Sequence, residues 1–213
     1  MTAGNSTPPV VTLFESYGAG AGYVGPRVAQ ALSVPFHAQA FSSDEIETGK
    51  GEREDEGLLS RVFGAMGGSY AALGDEGHDV ALRQRDRYEL VMDNTRAVMD
   101  EARRGGVIVG RNGAFILADW PGALHVLLDG PLQQRLERAA QESGIDVSRA
   151  AKRQKREDQV RADMSILLYG WDPREASRYH LMVNTGLMDL DTCVHIIVQA
   201  ATVRAGLRSA PSR

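Results

Sequence analysis

The chain lacks several features that would assign it to a class of protein. Its 213 residues include one cysteine, Cys193, which excludes an intrachain disulfide, and no Cys/His spacing is typical of a zinc site. No apolar run approaches the roughly 20 residues of a membrane span, and the N-terminal segment lacks the basic and apolar regions of a signal peptide. These absences predict a cytoplasmic protein that is neither exported nor membrane-bound.

An excess of positive charge is missing as well. The net charge of -4 and the pI near 5.8 provide no overall attraction to nucleic acid or to an anionic membrane, so we expect neither as a partner. An anion site would have to be built from locally clustered arginines, which favours a small anionic ligand. Assembly into a homo-oligomer stays an open alternative. The hydrophobic fraction of 43% predicts a single globular domain with a sizeable core.

Apolar, β-branched runs alternate with helical patterns along the chain. We predict strands at residues 10–14, 34–37, 107–110, 123–129 and 179–185. We predict helices from the end of the first glycine segment to about residue 32, and at 80–104, 131–144, 146–168 and 189–205, with Asp146 or Ser148 as the N-cap of the helix at 146–168. Because each strand is apolar throughout, the pattern is typical of an α/β fold whose parallel sheet is covered on both faces.

We expect one domain at residues 10–206, between disordered tails at 1–9 and 207–213. Residues 38–79 change in composition to charge and glycine, which indicates an excursion from the core. Ligands of parallel sheets bind at the carboxyl ends of the strands. The segments that follow predicted strands therefore gather at one edge: the first glycine segment and residues 110–113, 129–130 and 184–185.

The sequence VVTLFESYGAGAGYVG, residues 10–25, runs from an apolar strand into alternating glycines and then a helix. Glycines at 18, 20 and 22 let the backbone turn its N–H groups inward, and the helix would point its positive end at an anion. A complete phosphate-binding loop reads G-x-x-x-x-G-K-[ST], whereas here Ala21 stands at the lysine position and Tyr23 near the hydroxyl position. The segment is either a phosphate cradle without its lysine or a tight turn whose glycines serve packing.

Pro26 constrains where the first helix begins. Proline is free of strain only in the first turn, so we predict a helix start between about Gly22 and Gly25. Arg27, Gln30 and the N-terminal tail are the nearest candidates to replace the missing cation, and nothing in the sequence selects among them.

Arg111 directly follows a predicted buried strand, in the turn VIVGRNG. A guanidinium there can bind a phosphate through two hydrogen bonds. We favour this role over that of a surface charge, because a turn needs Asn or Asp rather than Arg for its geometry. Asn112 is either a turn former or a hydrogen-bonding partner for a sugar or a base.

The helix SRAAKRQKREDQVRADM carries a basic stripe of Arg149, Arg153 and Arg156, flanked by Lys152 and Lys155. Asp158 and Arg161 form a pair on a neighbouring face. Spacing alone favours a solvated helix with an ion pair between Glu157 and Arg161. Arginines around one aspartate can also close over a transferring phosphoryl group and neutralise its charge. Arg135 and Arg138, on the preceding helix, share this ambiguity.

The remaining polar and aromatic residues do not indicate a catalytic site. The acidic cluster at residues 44–56 has no apolar setting to raise a pKa and is interpreted as a mobile polar surface. His125 and His180 fall inside apolar strands, which indicates core or sheet residues rather than bases. Trp120 and Trp171 lie beside prolines and are interpreted as anchors for turns.

Five segments, taken in order, carry a resemblance: VTLFESYGAGAGYVGPRVAQALSVPF, VIVGRNGAFIL, LHVLLDGPLQQRLERAAQESGI, KREDQVRADM and YHLMVNTGLMDLDTCVHIIV. With them the chain resembles the cytidylate kinase-like family of P-loop nucleoside-monophosphate kinases, and only about residues 38–79 stay unmatched. The resemblance implies a five-stranded parallel sheet flanked by helices, a substrate-binding excursion at 38–79 and an arginine-rich helical lid at about 146–168.

The same resemblance implies a site. It assigns the donor phosphates of ATP, with Mg²⁺, to the loop formed by Gly18, Ala19, Gly20, Ala21, Gly22 and Tyr23, and places Arg135 near the donor base. It assigns the acceptor nucleotide to Arg111 and Asn112. It assigns the transferring phosphoryl group to Lys155 or Arg156, Asp158 and Arg161.

The implied function is transfer of the ATP γ-phosphoryl group to a nucleoside monophosphate, with CMP or dCMP expected as the acceptor. Two alternatives stay open. One is a nucleotide-binding or regulatory module that is weak or inactive in catalysis, because Ala21 replaces the lysine. The other is an unrelated small-molecule kinase on the same scaffold.

Overall fold

A computed structural model describes residues 8–48 and 80–207. The predicted tails lie outside these ranges except for residues 8–9 and 207, and so does most of the excursion, residues 49–79.

Five parallel strands form the single sheet of the described chain: β1 (Val10–Glu15), β2 (Phe36–His37), β3 (Gly106–Val109), β4 (Leu124–Asp129) and β5 (Leu181–Asn184). Their order is β2-β3-β1-β4-β5, so β1 lies at the centre. Val11 is in register with Val107 on one side and with Leu124 on the other. The predicted five-stranded parallel sheet is confirmed.

Seven α-helices surround the sheet in the described ranges: α1 (Ala21–Leu32), α2 (Ser43–Thr48), α3 (Val80–Arg104), α4 (Gly113–Ile116), α5 (Leu132–Ser143), α6 (Val147–Tyr169) and α7 (Leu190–Leu207). A short 3₁₀ helix, Ala176–Arg178, precedes β5. None of the helices in these ranges is long and apolar enough to cross a membrane.

The core has two layers because successive strand residues point to opposite faces. On one face Val11 and Val107 pack with Val24 of α1 and Ile197 of α7. On the other, strand residues pack against α3 in a second buried cluster: Val10, Ile108, Val98 and Ala102. Both faces are therefore covered, as the apolar strands predicted.

The start of α1 differs from the prediction. Helical bonding begins at the Gly20 carbonyl, which accepts from Val24 at 3.0 Å, so α1 starts at Ala21 and Pro26 lies in its second turn. Proline there leaves the Gly22 carbonyl without its usual donor and its ring crowds that turn. Gly22 has no neighbouring atoms where a side chain would lie, which leaves open space around the weakened turn.

Helix α6 is the element that reaches the carboxyl edge of the sheet. Asp146 is its N-cap and accepts from the Arg149 amide at 2.8 Å, as one of the two predicted caps. Its first half packs on α5 through Ala150, and its middle packs on α2. Gly170, in the left-handed conformation, ends it. This placement directs the middle of α6 over the strand ends.

Candidate functional site

A cavity of about 330 Å³ opens at the carboxyl ends of β1 and β3, beneath α6. Its walls are mainly aliphatic and aromatic, including Phe41, Leu90, Met164, Leu168, Tyr169, Trp171 and Tyr179. A small set of polar side chains interrupts them: Glu15, Gln39, Asp93, Asn94, Arg111, Asn112, Arg161 and Ser165. The volume and the mixture of apolar walls with few polar groups are those of a small-molecule site.

The glycine loop, residues 16–20, leaves β1 beside this cavity and turns into α1. Gly18 and Gly20 have φ angles of 76° and 92°, which side-chain-bearing residues rarely adopt. A Cβ atom on Gly18 would lie 2.2 Å from the Arg135 carbonyl oxygen. The loop path therefore requires glycine at position 18 on two independent grounds.

Three loop amides are already hydrogen bonded: Ser16 to the Leu128 carbonyl at 3.0 Å, Tyr17 to Asp158 Oδ1 at 2.9 Å and Ala19 to the Ser16 carbonyl at 2.9 Å. The amide of Ala21, the first residue of α1, donates to Glu15 Oε2 at 2.8 Å. Within the described residues, the amides of Gly18, Gly20 and Gly22 donate to no other group. Gly20 is buried beneath Leu190, whereas Gly18 is partly exposed and Gly22 is exposed. Gly18 and Gly22 thus keep donors for an anion at the positive end of α1.

Two arginines of α5 hold the loop from below. Arg135 is 8% exposed and donates from Nη1 to the Tyr17 carbonyl at 2.8 Å and from Nε to the Gly130 carbonyl at 2.9 Å. Arg138 donates to the Gly18 carbonyl at 2.9 Å and to Thr185. Both side chains bind backbone carbonyls, so they fix the shape of the loop.

The opposite wall of the cavity is the turn Arg111–Asn112, whose two φ angles of 55° and 56° are both left-handed. Consecutive left-handed residues other than glycine store strain, which in proteins clusters at ligand sites. Arg111 Nη1 donates to Glu101 Oε1 at 2.7 Å, and Asn112 Oδ1 accepts from Trp171 Nε1 at 2.9 Å. The Asn94 side chain braces the Arg111 carbonyl at 2.9 Å. Arg111 is thus a cavity residue and the surface-charge interpretation does not hold.

Helix α6 brings Asp158 and Arg161 to the junction between loop and cavity. Asp158 accepts from the Tyr17 amide and from Gln154, while Arg161 Nη2 donates to Glu157 Oε2 at 2.6 Å. Glu157 is 1% exposed, and this burial raises its pKa. Arg161 Nη1 is buried and finds no hydrogen-bond partner within the described chain. The other ion pair of Arg161 within the described chain is with Asp158 Oδ1, at 3.9 Å, so this cavity-lining guanidinium lies between the carboxylates of Glu157 and Asp158.

A family model now adds to this geometry. The model of the cytidylate kinase-like family matches residues 10–187. The chain belongs to that family. The match begins at β1 and ends just beyond β5, and it includes the loop, the turn Arg111–Asn112 and α6.

Three individual proteins are similar to about half of this cytidylate kinase-like chain. It is 32% identical over 103 residues to a cytidylate kinase of Ignicoccus hospitalis, covering 48% of this chain and 59% of that one. A cytidylate kinase of Methanopyrus kandleri is 30% identical over 124 residues, covering 54% and 64%. A uronate isomerase of Corynebacterium glutamicum is 36% identical over 111 residues, which is 52% of this chain and only 21% of the isomerase. The chain thus spans less than two thirds of these relatives.

A solved structure of an uncharacterized protein from Eubacterium ventriosum has a TM-score of 0.61 and 17% identity, and the match covers 92% of this chain and 99% of that one. At this identity the likeness supports the fold of the cytidylate kinase-like chain.

The basic stripe on α6 contacts α2, whereas Arg161 lines the cavity. Arg149 and Arg153 both bind Glu47 of α2, at 2.9 and 2.8 Å, and Arg153 is 4% exposed. Arg156 donates to the Ile46 carbonyl at 2.8 Å, and Lys155 is exposed. The expectation of a solvated helix is wrong for Arg153, Glu157 and Arg161, because α2 and the sheet edge cover that face. The predicted Glu157–Arg161 pair exists, but it is buried.

The described part of the acidic cluster is also ordered against α6. Glu45 is buried and its carboxylate accepts from the Ser42 amide at 2.7 Å. Hydrogen bonds from Arg149 and Arg153 lower the pKa of Glu47 to about 2. The interpretation as a mobile polar surface is wrong for residues 44–47, since Asp44 and Glu47 pair with the stripe and Glu45 is buried against Ser42. Residues 49–56 of the cluster lie outside the described residues.

Tyr23 and Arg27, near the loop, contact other side chains rather than the proposed anion site. The Tyr23 hydroxyl donates to Asp191 at 2.8 Å, and the Arg27 guanidinium stacks 3.4 Å above the Tyr23 ring centroid. Gln30 is exposed on α1. The structure does not bring Tyr23, Arg27 or Gln30 to the face of the loop that borders the cavity.

The histidine prediction is confirmed for His125 but not for His180, which is exposed and lies just before β5, and one tryptophan prediction is not confirmed. His125 is 2% exposed, stacks on His180 at 4.8 Å, and lies 2.8 Å from the Thr12 hydroxyl. Trp120 packs in the cluster beneath α3, near its predicted turn. Trp171 instead lines the cavity and holds Asn112, so it belongs to the site.

Sequence reasoning missed Glu15, Asn94 and Glu101. Glu15 ends β1 directly before the glycines, so the rule about strand ends already pointed to it. Asn94 and Glu101 lie seven residues apart on α3, two helical turns, which places both on the face that meets the Arg111–Asn112 turn. Nothing in the sequence of α3 itself indicates this contact, because the Arg111–Asn112 turn belongs to a later element, after β3.

Proposed function

We propose that this chain is a phosphotransferase that moves the γ-phosphoryl group of ATP to a nucleoside monophosphate, with CMP and dCMP as the first acceptors to test. One observation supports the proposal above the others. The glycine loop and a cavity of about 330 Å³ meet at the carboxyl edge of the sheet, and Arg161 stands between them. Such a pair of adjoining sites suits a donor and an acceptor.

The donor phosphates would bind at the loop. The Gly18 and Gly22 amides and the N-terminal end of α1 offer partial positive charge to an anion. Mg²⁺ usually binds through substrate phosphates and one or two carboxylates. No group of three or more His, Cys, Asp or Glu side chains in the described ranges could hold a metal ion, so magnesium would be held largely by ATP itself.

The acceptor would bind in the cavity. The Trp171 and Tyr169 rings offer apolar surface for a base, and Arg111 offers a guanidinium for a phosphate. Arg111 is pinned by Glu101 and only 19% of its side chain is exposed, so its position is set before the acceptor arrives. A fixed guanidinium reduces the entropy lost on binding.

In the transfer step an acceptor oxygen attacks the γ-phosphorus and the bond from that phosphorus to the bridging oxygen of ADP breaks. Negative charge develops on the equatorial oxygens. Arg161 lines the cavity beside the start of the loop, and its Nη1 has only a long ion pair of 3.9 Å with Asp158 within the described residues, so the guanidinium would stabilise this charge. Asp158 is a positioning residue, because it holds the Tyr17 amide at the start of the loop.

A second candidate is a nucleotide-binding module without transfer. Ala21 occupies the position of the loop lysine, and its amide is bound by Glu15 rather than left open. Loss of the lysine removes a large electrostatic contribution to phosphoryl transfer. The uronate isomerase match covers a fifth of that protein and favours neither candidate.

A coupled assay for ADP release over a panel of nucleoside monophosphates separates the two candidates. Turnover with CMP or dCMP above the ATP-only rate supports the phosphotransferase. Arg161→Lys keeps the charge but loses the planar fork, so we expect kcat to fall by about 10²-fold or more with little change in KM for ATP. Arg149→Lys, on the same helix but facing α2, is the matched control and is expected to keep full activity. ATP binding without turnover on any acceptor would establish the binding module instead.

A further inference from the structure

The Glu15 carboxylate binds an amide at the N-terminal end of α1, next to the Gly22 amide proposed for the donor phosphates. Its Oε2 accepts from the Ala21 amide at 2.8 Å, and Ala21 is the first residue of α1. The first-turn amides of a helix are the donors that an incoming anion uses. The chain thus places its own carboxylate on the anion-binding end of the helix.

The surroundings of Glu15 do not compensate this charge fully. Loss of solvation raises its pKa, while Arg161 of α6 and the Ala21 amide act in the opposite direction. Asp158 of α6 and Glu142 of α5 face it with like charge. The pKa of Glu142 is itself raised by burial. Arg135, 3.9 Å from Asp158, and Arg138, which acts to lower the pKa of Glu142, act on those two carboxylates. Arg161, in contrast, is the cation that acts on Glu15 itself. The ionised Glu15 on the Ala21 amide would therefore repel a dianionic phosphate at the same amides.

We propose that Glu15 is a built-in competitor for the phosphate in the glycine loop, so that an anion binds fully only when this carboxylate moves away or is neutralised. The inference rests on the proposed donor role of the loop. It adds the residue that sets the loop's affinity for anions. Protonation of Glu15 removes its charge, so the loop binds anions more tightly as the pH falls.

Sulfate is the probe for this inference, because it stays a dianion across the pH range used. Calorimetric titration of the full chain with sulfate is carried out at about pH 8 and about pH 5.5. We expect tighter binding by the wild type at the lower pH. Glu15→Ala frees the amide and Glu15→Gln removes the charge with little change in shape, so each is expected to lower the Kd by about tenfold at the higher pH. Neither variant is expected to keep the pH dependence.

Glu142→Gln is the matched control, because Glu142 acts on the loop through space but does not touch the Ala21 amide. It is expected to keep the wild-type direction of the pH dependence. Thermal melts of every variant establish that each is folded, and Glu15→Gln alone suffices if Glu15→Ala unfolds.

The outcomes are distinct. Equal sulfate affinity in the wild type and Glu15→Gln at both pH values overturns the inference, and ATP turnover by the wild type would still support the phosphotransferase. A pH dependence abolished by Glu142→Gln but kept in Glu15→Gln also overturns it. Failure of every variant to bind either sulfate or ATP overturns the inference and the donor site together. Tighter binding in Glu15→Gln supports it even if no acceptor is phosphorylated.

Discussion

Arg161→Ala is expected to destabilise the fold more at neutral than at acid pH, because it strands Glu157 as a buried carboxylate. Glu157 is 1% exposed and its Oε2 accepts from Arg161 at 2.6 Å. Removing one member of a buried ion pair typically costs about 3–5 kcal/mol, mostly through the charge left behind.

The size of the loss follows from protonation. A stranded carboxylate can bind a proton, so its cost cannot exceed about 1.4 kcal/mol for each pH unit above the ordinary glutamate pKa near 4.3. That ceiling is about 3.7 kcal/mol at pH 7 and about 1.6 kcal/mol at pH 5.5. In the variant the folded-state pKa of Glu157 lies above its unfolded value, so the folded state holds more protons and stability falls as the pH rises. Glu15 loses the same cation and adds to the effect in the same direction.

Urea denaturation followed by circular dichroism at the two pH values measures the difference. Relative to the wild type at each pH, the loss in Arg161→Ala is expected to be larger at pH 7, by up to about 2 kcal/mol through Glu157, with a further contribution from Glu15 in the same direction. The double variant Arg161→Met with Glu157→Leu removes both charges and is expected to recover most of the stability. An equal loss at both pH values, or a double variant as unstable as the single one, would refute the reasoning.

Three further predictions concern the sheet, α2 and the loop. Burial lowers the pKa of His125 to about 4, so His125 protonates more readily in the unfolded chain than in the folded one. The free energy of unfolding of the wild type should therefore fall by about 2 kcal/mol between pH 7 and pH 5, and urea titrations of His125→Asn should show a smaller fall. Arg153→Ala should speed hydrogen exchange of the amides at residues 43–48 while leaving β4 protected, and unchanged exchange would contradict the docking role. Gly18→Ala should lower the melting temperature more than Gly144→Ala, because both positions have positive φ but only Gly18 also meets a backbone oxygen.

The sheet could be predicted from the sequence because its signal is local. Each strand is a run of apolar residues, and burial on both faces follows from the absence of alternation. Helix ends were predicted where a local cap exists, as at Asp146. The start of α1 was not, because the preference of Pro26 for a first turn was overridden by the bonding that begins at the Gly20 carbonyl.

The site could be predicted only in part, for a related reason. Residues at strand ends, such as Arg111, were found because parallel strands bring their carboxyl ends together. The partners Glu101 and Trp171 were missed, since each is paired across many residues by the tertiary fold. For the same reason the charges on α6 were interpreted as solvated: Glu47, which neutralises Arg153, lies 106 residues away in the chain.

The contacts of α6 have a mechanical consequence. Arg149 and Arg153 bind Glu47 of α2, and further along the helix Asp158 accepts from the Tyr17 amide of the glycine loop. Gly144 and Gly170, both with left-handed backbone and open space around them, lie at its two ends. Because α6 is hydrogen bonded to both α2 and the loop, a rotation of α6 that displaces Arg161 would also strain its bonds to Glu47 and to Tyr17. A displacement of α2 would therefore be transmitted to the glycine loop through the hydrogen bond between the Tyr17 amide and Asp158.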